Sequence, residues 1–317
     1  MVRSGTENYA KKCFKTIALV ILYTCLTRLE YLANRKLAAK YDFRSAELLL
    51  TFQSGVAILV SYLVCKWRQQ RLPHLSLVHI TTLFPFAVLF FISAKCGILV
   101  FKSRGILETS PFKLYLFPFS LEMEKVLFRN RVFRITRLTS FGALLLSFLC
   151  YVREDEVTYG WLQCVVSRAT CAVFINGLKK ILIEGEYRPL HLLYGIYLLL
   201  FFISVVMGLV SFSFFDGLKG PPWMQVEFVY ALLLSILFGI GYIMTQVYLT
   251  RFTSPTCVLI LTYAAQGSWN LERKVIYPIS CRTLVFFVIC ASLVSFLFNL
   301  IHENWTGIEK LELPSLS

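Results

Sequence analysis

Three basic side chains stand where charge is costly. Arg28, Lys95 and Arg168 each fall inside a run of apolar residues, and Glu30 follows Arg28 by two positions. Charge in hydrocarbon needs a partner, so ionisable groups within such runs point to function by default. Residues two apart on a helix face nearly opposite sides, so Arg28 and Glu30 cannot neutralise one another. A buried cation calls either for a protein carboxylate, for which Glu30, Glu122 and Glu124 are available, or for a phosphate on a solute. Snorkelling to the membrane surface is a third outcome, and it is hardest for Lys95, midway along its run.

Uncharged polar and aromatic residues form a second inventory: Gln53, Asn176, Tyr194, Tyr197, Tyr242, Gln246, Tyr263, Gln266 and Asn270, mostly near the middles or ends of apolar runs. Amides hydrogen-bond a sugar or a base edge and tyrosine rings stack on a base, so the set suits a nucleotide-like ligand. The same residue types also bind helix to helix. Gly239-Ile240-Gly241 permits close packing but lacks the preceding strand of a dinucleotide fingerprint, and no P-loop, H-E-x-x-H or G-x-S-x-G occurs. The ten cysteines never form a C-x-x-C pair and the four histidines are scattered, so neither a disulfide framework nor a metal site is expected. No cofactor is expected either.

The elements that must position these residues are set by composition. Of 317 residues, 57% are hydrophobic and 16% charged, against roughly 45–50% and 25% in soluble domains. Ten apolar windows appear, near Phe14–Leu32, Ala46–Trp67, Ile80–Phe101, Ser110–Phe128, Leu138–Val152, Tyr159–Leu182, Leu190–Phe214, Val226–Thr250, Ser254–Trp269 and Thr283–Ile301. Most offer the roughly 20 residues that cross a bilayer as a helix. Their unbroken apolarity excludes barrel strands, which alternate. The expected fold is therefore an all-α polytopic membrane protein of ten transmembrane helices, with breaks or kinks at Pro85, Pro111, Pro118 and Pro255. The first window has no small-residue cleavage pattern and reads as a retained span.

The net charge of +14 would raise the question of nucleic acid in a soluble protein. Here the basic residues cluster in short loops, including Lys66, Arg68 and Arg71, then Lys125, Arg129, Arg131, Arg134 and Arg137, then Lys179, Lys180 and Arg188. That bias places both termini in the cytosol, and no nucleic-acid partner is expected. The two halves echo each other: Asn34-Arg35-Lys36 closes the first window as Asn176-Gly177-Leu178-Lys179-Lys180 closes the sixth. A duplication of five spans must be inverted across the membrane. The expected division is residues 1–152 and 153–303, one five-helix repeat each, with a polar tail at 304–317. Asn304-Trp305-Thr306 in that tail is a glycosylation acceptor only if it lies in a lumen.

At Asn34-Arg35, Tyr41-Asp42-Phe43-Arg44-Ser45 and Gln53 the chain resembles nucleotide-sugar transporters of the drug/metabolite transporter superfamily, of the solute carrier 35 type, which often read Asn-Lys, then Tyr-x-Phe-x-Ser, then Gln. Thr253-Ser254-Pro255-Thr256 is similar to the family's turn between the eighth and ninth spans. The chain departs from the family elsewhere. No Arg pair follows Ser110-Pro111, Tyr194-Gly195-Ile196 replaces an aromatic-Asn-Asn, and Thr262-Tyr263-Ala264-Ala265-Gln266 replaces a stretch that ends in lysine.

The resemblance implies an antiporter of the Golgi or endoplasmic reticulum membrane, exchanging a cytosolic nucleotide sugar for a luminal nucleoside monophosphate by alternating access. The lipid bilayer is its other partner, and a homodimer is left open. Lys95 and Arg168 are the expected phosphate contacts, Tyr194, Tyr263 and Gln266 the base or sugar contacts, and Asn34 and Gln53 carry the family pattern. The competing expectation is a scaffold or subunit that keeps the fold without transport. A membrane-embedded lipid-modifying enzyme would want clustered His or acidic residues, for which Glu122 and Glu124 are a thin set, so no enzymatic activity is expected.

Overall fold

The structure is a computed structural model that describes residues 2–41, 43, 45–69, 76–102, 116–128, 138, 142, 159–184, 187–219 and 223–267. Every regular element among them is a helix: α1 (Val2–Lys40), α2 (Ala46–Trp67), α3 (Leu77–Lys102), α4 (Leu116–Phe128), α5 (Tyr159–Glu184), α6 (Pro189–Val210), α7 (Ser213–Lys219), α8 (Val226–Phe252) and α9 (Pro255–Gly267). Apart from Leu138 and Gly142, the expected spans at Leu138–Val152 and Thr283–Ile301 lie outside the described residues. So do Pro111, the tail and its Asn304.

Local chemistry explains the starts of α2, α6 and α9. The Ser45 hydroxyl caps α2 by accepting the Leu48 amide at 3.0 Å, with Glu47 in the favourable first turn. Pro189 and Pro255 open α6 and α9, where a missing N–H costs nothing. Pro85 lies inside α3, as helix prolines in membranes commonly do. Hydroxyls along the helices satisfy themselves on the preceding turn, as Thr27 does on the Tyr23 carbonyl at 2.7 Å and Thr250 on that of Gln246 at 2.7 Å.

Two expected boundaries move. α1 runs past Leu32 to Lys40, because Tyr31, Asn34 and Leu37 continue its buried face. The seventh window does not run unbroken to Phe214. It stops at Val210, turns through Phe212 at φ 56°, and resumes as α7.

Among the described residues five helical segments are long and apolar enough to cross a membrane: Phe14–Ala38, Ala46–Trp67, Leu77–Leu99, Pro189–Val210 and Val226–Phe252. At 22 to 27 residues they reach about 33–40 Å at 1.5 Å per residue. α5 is as long, at 26 residues, but Arg168, Lys179 and Lys180 lower its apolarity. Beside a buried apolar core, many large apolar side chains face outward and several polar ones lie inside. Phe14, Leu59, Leu63, Phe202 and Leu237 are exposed, while Asn34, Glu47, Ser235 and Gln246 are buried. Side chains sort this way when the solvent is lipid, and the protein is a multi-pass membrane protein.

The chain divides into two units, 1–109 with 157–270, and 110–156 with 271–317. Of the second, α4 is the described helix, and its Ser120, Leu121 and Glu124 are buried. In the first unit the most extensive packings are α1 on α8, α3 on α5 and α2 on α6. α1 and α8 are antiparallel: Tyr23, Asn34 and Lys40 meet Tyr242, Ser235 and Glu227 in reverse order. α3 and α5 are antiparallel too, with Phe90 against Phe174 and Ser93 against Ser167.

Candidate functional site

The polar interior of the first unit is built on three levels. Nearest the α1–α2 connection, Lys95 Nζ of α3 lies 2.6 Å from Glu47 Oε1, the acid that follows the α2 cap. The Glu47 side chain is 4% exposed and that of Lys95 30%, so the carboxylate is the deeper partner. Its other oxygen, Oε2, accepts from the Ser213 hydroxyl at 2.9 Å. α7 fits against the α2 cap because Gly217 carries no side chain: a Cβ there would stand 2.5 Å from that of Ser45. Beside this level, Lys40 bonds Glu227 at 2.7 Å, next to an aromatic cluster of Tyr41, Phe43, Trp223 and Phe228. The hydrogen bond to Glu227 holds the Lys40 ammonium above the ordinary lysine range. Its contribution is therefore complete below the ordinary lysine pKa and fades only as pH rises through the elevated one.

At the second level, Asn34 of α1 donates through Nδ2 to Glu30 on the same helix, and its Oδ1 accepts from the Ser235 hydroxyl of α8. Gln53 Nε2 of α2 donates to the Ser235 carbonyl at 3.3 Å and hydroxyl at 3.4 Å. Gly239 gives Gln53 room, since a Cβ there would lie 2.8 Å from Nε2. Arg168 of α5 draws the Glu30 carboxylate electrostatically.

The third level joins α1, α8 and α9. Tyr23 stacks on Tyr242 with ring centroids 5.5 Å apart, and Gln246 donates to both hydroxyls, at 3.4 Å and 3.1 Å. Tyr23 and Thr262 share a hydrogen bond of 2.5 Å.

The expected site residues are thus distributed. Asn34 and Gln53, on the successive helices α1 and α2, meet at Ser235. Lys95 and Arg168 sit on the packed pair α3 and α5, beside the reciprocal Ser93 and Ser167 hydrogen bonds of 2.9 Å and 2.7 Å, and each faces a carboxylate. Tyr194 is half-buried on α6. Tyr263 and Gln266 lie on α9, and their side chains fall outside the described residues. Glu47, Ser213 and Ser235 were not anticipated. Glu47 carried one readable signal, an acid in the first turn after a Ser cap, but that signal speaks of the helix start and not of Lys95.

This arrangement supplies paired charges, amides and aromatic rings at several depths of the span, which together suit a polar solute in a membrane interior. Among the described residues no cluster has metal-ligand composition. Comparison of the chain with family models and with characterised proteins gives no match.

Proposed function

We propose that the protein is a secondary-active carrier in which two inverted helix repeats rock about a central site. The observation that carries this reading is the pattern of helix pairing. Exchange α1 with α5, α2 with α6 and α3 with α8, and the α1–α8 packing becomes α5–α3, while α2–α6 maps onto itself. Some of the lesser packings obey the same exchange: α3–α6 becomes α8–α2, and α1–α3 becomes α5–α8. Both exchanged major pairs are antiparallel. Such a pattern is what a two-fold axis in the membrane plane produces, and inverted repeats of this kind alternate the exposure of a site at their interface.

For the cargo, the resemblance at Asn34-Arg35, Tyr41 to Ser45 and Gln53 supports a nucleotide sugar exchanged for a nucleoside monophosphate in an endomembrane. In this reading the Lys95–Glu47–Ser213 contact opens and re-forms as the repeats rock. One observation favours the scaffold instead: Lys95 and Arg168 each face an acid, as residues of a fixed polar interior would. The test is uptake of a panel of labelled nucleotide sugars into proteoliposomes preloaded with nucleoside monophosphates. A carrier shows uptake stimulated by the internal nucleotide, whereas a scaffold exchanges none of the panel.

A further inference from the structure

Arg28 is the cation at mid-span that the polar interior leaves over. It lies near the middle of the Phe14–Ala38 segment. Among the described residues its buried Nη1 has no hydrogen-bond partner, and its one described interaction is with the ring of Tyr31, 5.6 Å away. Tyr31 is itself 2% exposed, so the buried Nη1 stands against the protein interior, while Arg28 as a whole is half-buried. The described carboxylates nearby are engaged elsewhere: Glu30 with Asn34 and Arg168, Glu47 with Lys95 and Ser213. Two residues of helix separate Arg28 from Glu30 and turn the two side chains apart.

A guanidinium does not shed its proton in a protein. An unneutralised one at this depth costs free energy in the empty protein, and that cost is recovered when an anion arrives. Its planar fork of donors matches phosphate oxygens two at a time. We infer that Arg28 is the group that receives the phosphate of an anionic ligand, so that the phosphate position lies at Arg28 and not at Lys95 or Arg168. The ligand class, a nucleoside diphosphate or its sugar conjugate, rests on the carrier reading. The phosphate chemistry itself rests on the guanidinium. A ring contact with Tyr31 steadies the fork in the empty state.

The experiment uses the full chain in nanodiscs of neutral phosphatidylcholine, with thermal unfolding as readout and inorganic pyrophosphate and a set of nucleoside diphosphates as probes. Wild type is expected to be stabilised by at least one probe. Arg28→Gln is expected to unfold at a higher temperature than wild type without ligand, because an uncompensated charge is gone, and to lose the response. Arg28→Lys keeps the charge but not the fork, and is expected to bind about 10- to 100-fold more weakly. A parallel arm replaces neutral lipid by phosphatidylglycerol. Stabilisation there that depends on Arg28 and displaces the soluble probes assigns the phosphate to a lipid headgroup.

A response in Arg28→Gln equal to wild type overturns the inference, as does the absence of any response to every probe and to anionic lipid. Uptake measured on the same variants keeps the two readings apart. Transport unimpaired in Arg28→Gln removes the role of Arg28 and leaves the carrier standing. Arg28-dependent binding without uptake removes the carrier and leaves the site.

Discussion

Removing the Ser235 hydroxyl takes one partner from Asn34 and weakens the hold of Gln53 at once, since both amides meet at that residue. Ser235→Ala is expected to destabilise the protein by about 0.6–1.7 kcal/mol, the range of hydrogen bonds between membrane helices, measured by unfolding in mixed detergent micelles. The Lys95–Glu47 pair predicts an asymmetry. Lys95→Met strands a carboxylate that is 4% exposed, whereas Glu47→Gln strands an ammonium that is 30% exposed. The first is expected to approach the about 3–5 kcal/mol of a broken buried pair, and the second to fall well below it. The double variant should recover most of the loss, and additive losses would show that the two groups do not interact. At this scale the sequence was informative about cost and silent about partners. Charge inside an apolar run marks Arg28, Lys95 and Arg168, and the two-residue spacing correctly keeps Arg28 from Glu30. The acid that meets Lys95 comes from the start of another helix, and no local pattern encodes that meeting. Ser235 carries no signature at all, because a serine in a membrane helix usually bonds its own preceding turn.

Among the helices, α7 is the piece whose seating depends on a single absent side chain. Gly217→Ala places a methyl against the Cβ of Ser45, which is fixed to the backbone and cannot swing aside, and near Leu48 Cδ2. The expected cost is about 1–3 kcal/mol of overpacking. α7 is also expected to lift from the α2 cap, read as faster labelling of a Ser213→Cys reporter in the Gly217→Ala background. Labelling unchanged by the substitution would mean that α7 is not seated on α2. The apolar windows located α2, α8 and α9 closely, since bilayer thickness fixes the length of an apolar helix. They failed at the end of the seventh window for a definite reason. Val210, Phe212, Phe214 and Phe215 are as apolar as the helix before them, and the break lies in the backbone at Phe212, a residue type that rarely turns left-handed. The extension of α1 to Lys40 was hidden in the opposite way, by polar residues whose partners lie on α8.

For the molecule as a whole, the proposed inverted arrangement makes a prediction about sidedness. With ten spans and a cytosolic N-terminus, Asn304 stays unglycosylated in cells. A mobility shift removed by an endoglycosidase and by Asn304→Gln would overturn that layout. The faint echo of Asn34 in Asn176 was the sign of duplication that the sequence offered, and the proposed repeat rests on the exchange of helix pairings.

The pairing of α1 with α8 also bears on how the chain is made. Asn34 and Ser235 are 201 residues apart, so at roughly 5–20 residues per second the ribosome needs about 10–40 s to deliver the second after the first. During that interval the opening helix sits in the bilayer with its asparagine unmatched by the serine that will later bond it. The newborn protein therefore passes through a stage that quality-control factors able to sense polar groups in lipid would recognise. Substitutions that delay or weaken the arrival of α8 should show first as lost yield.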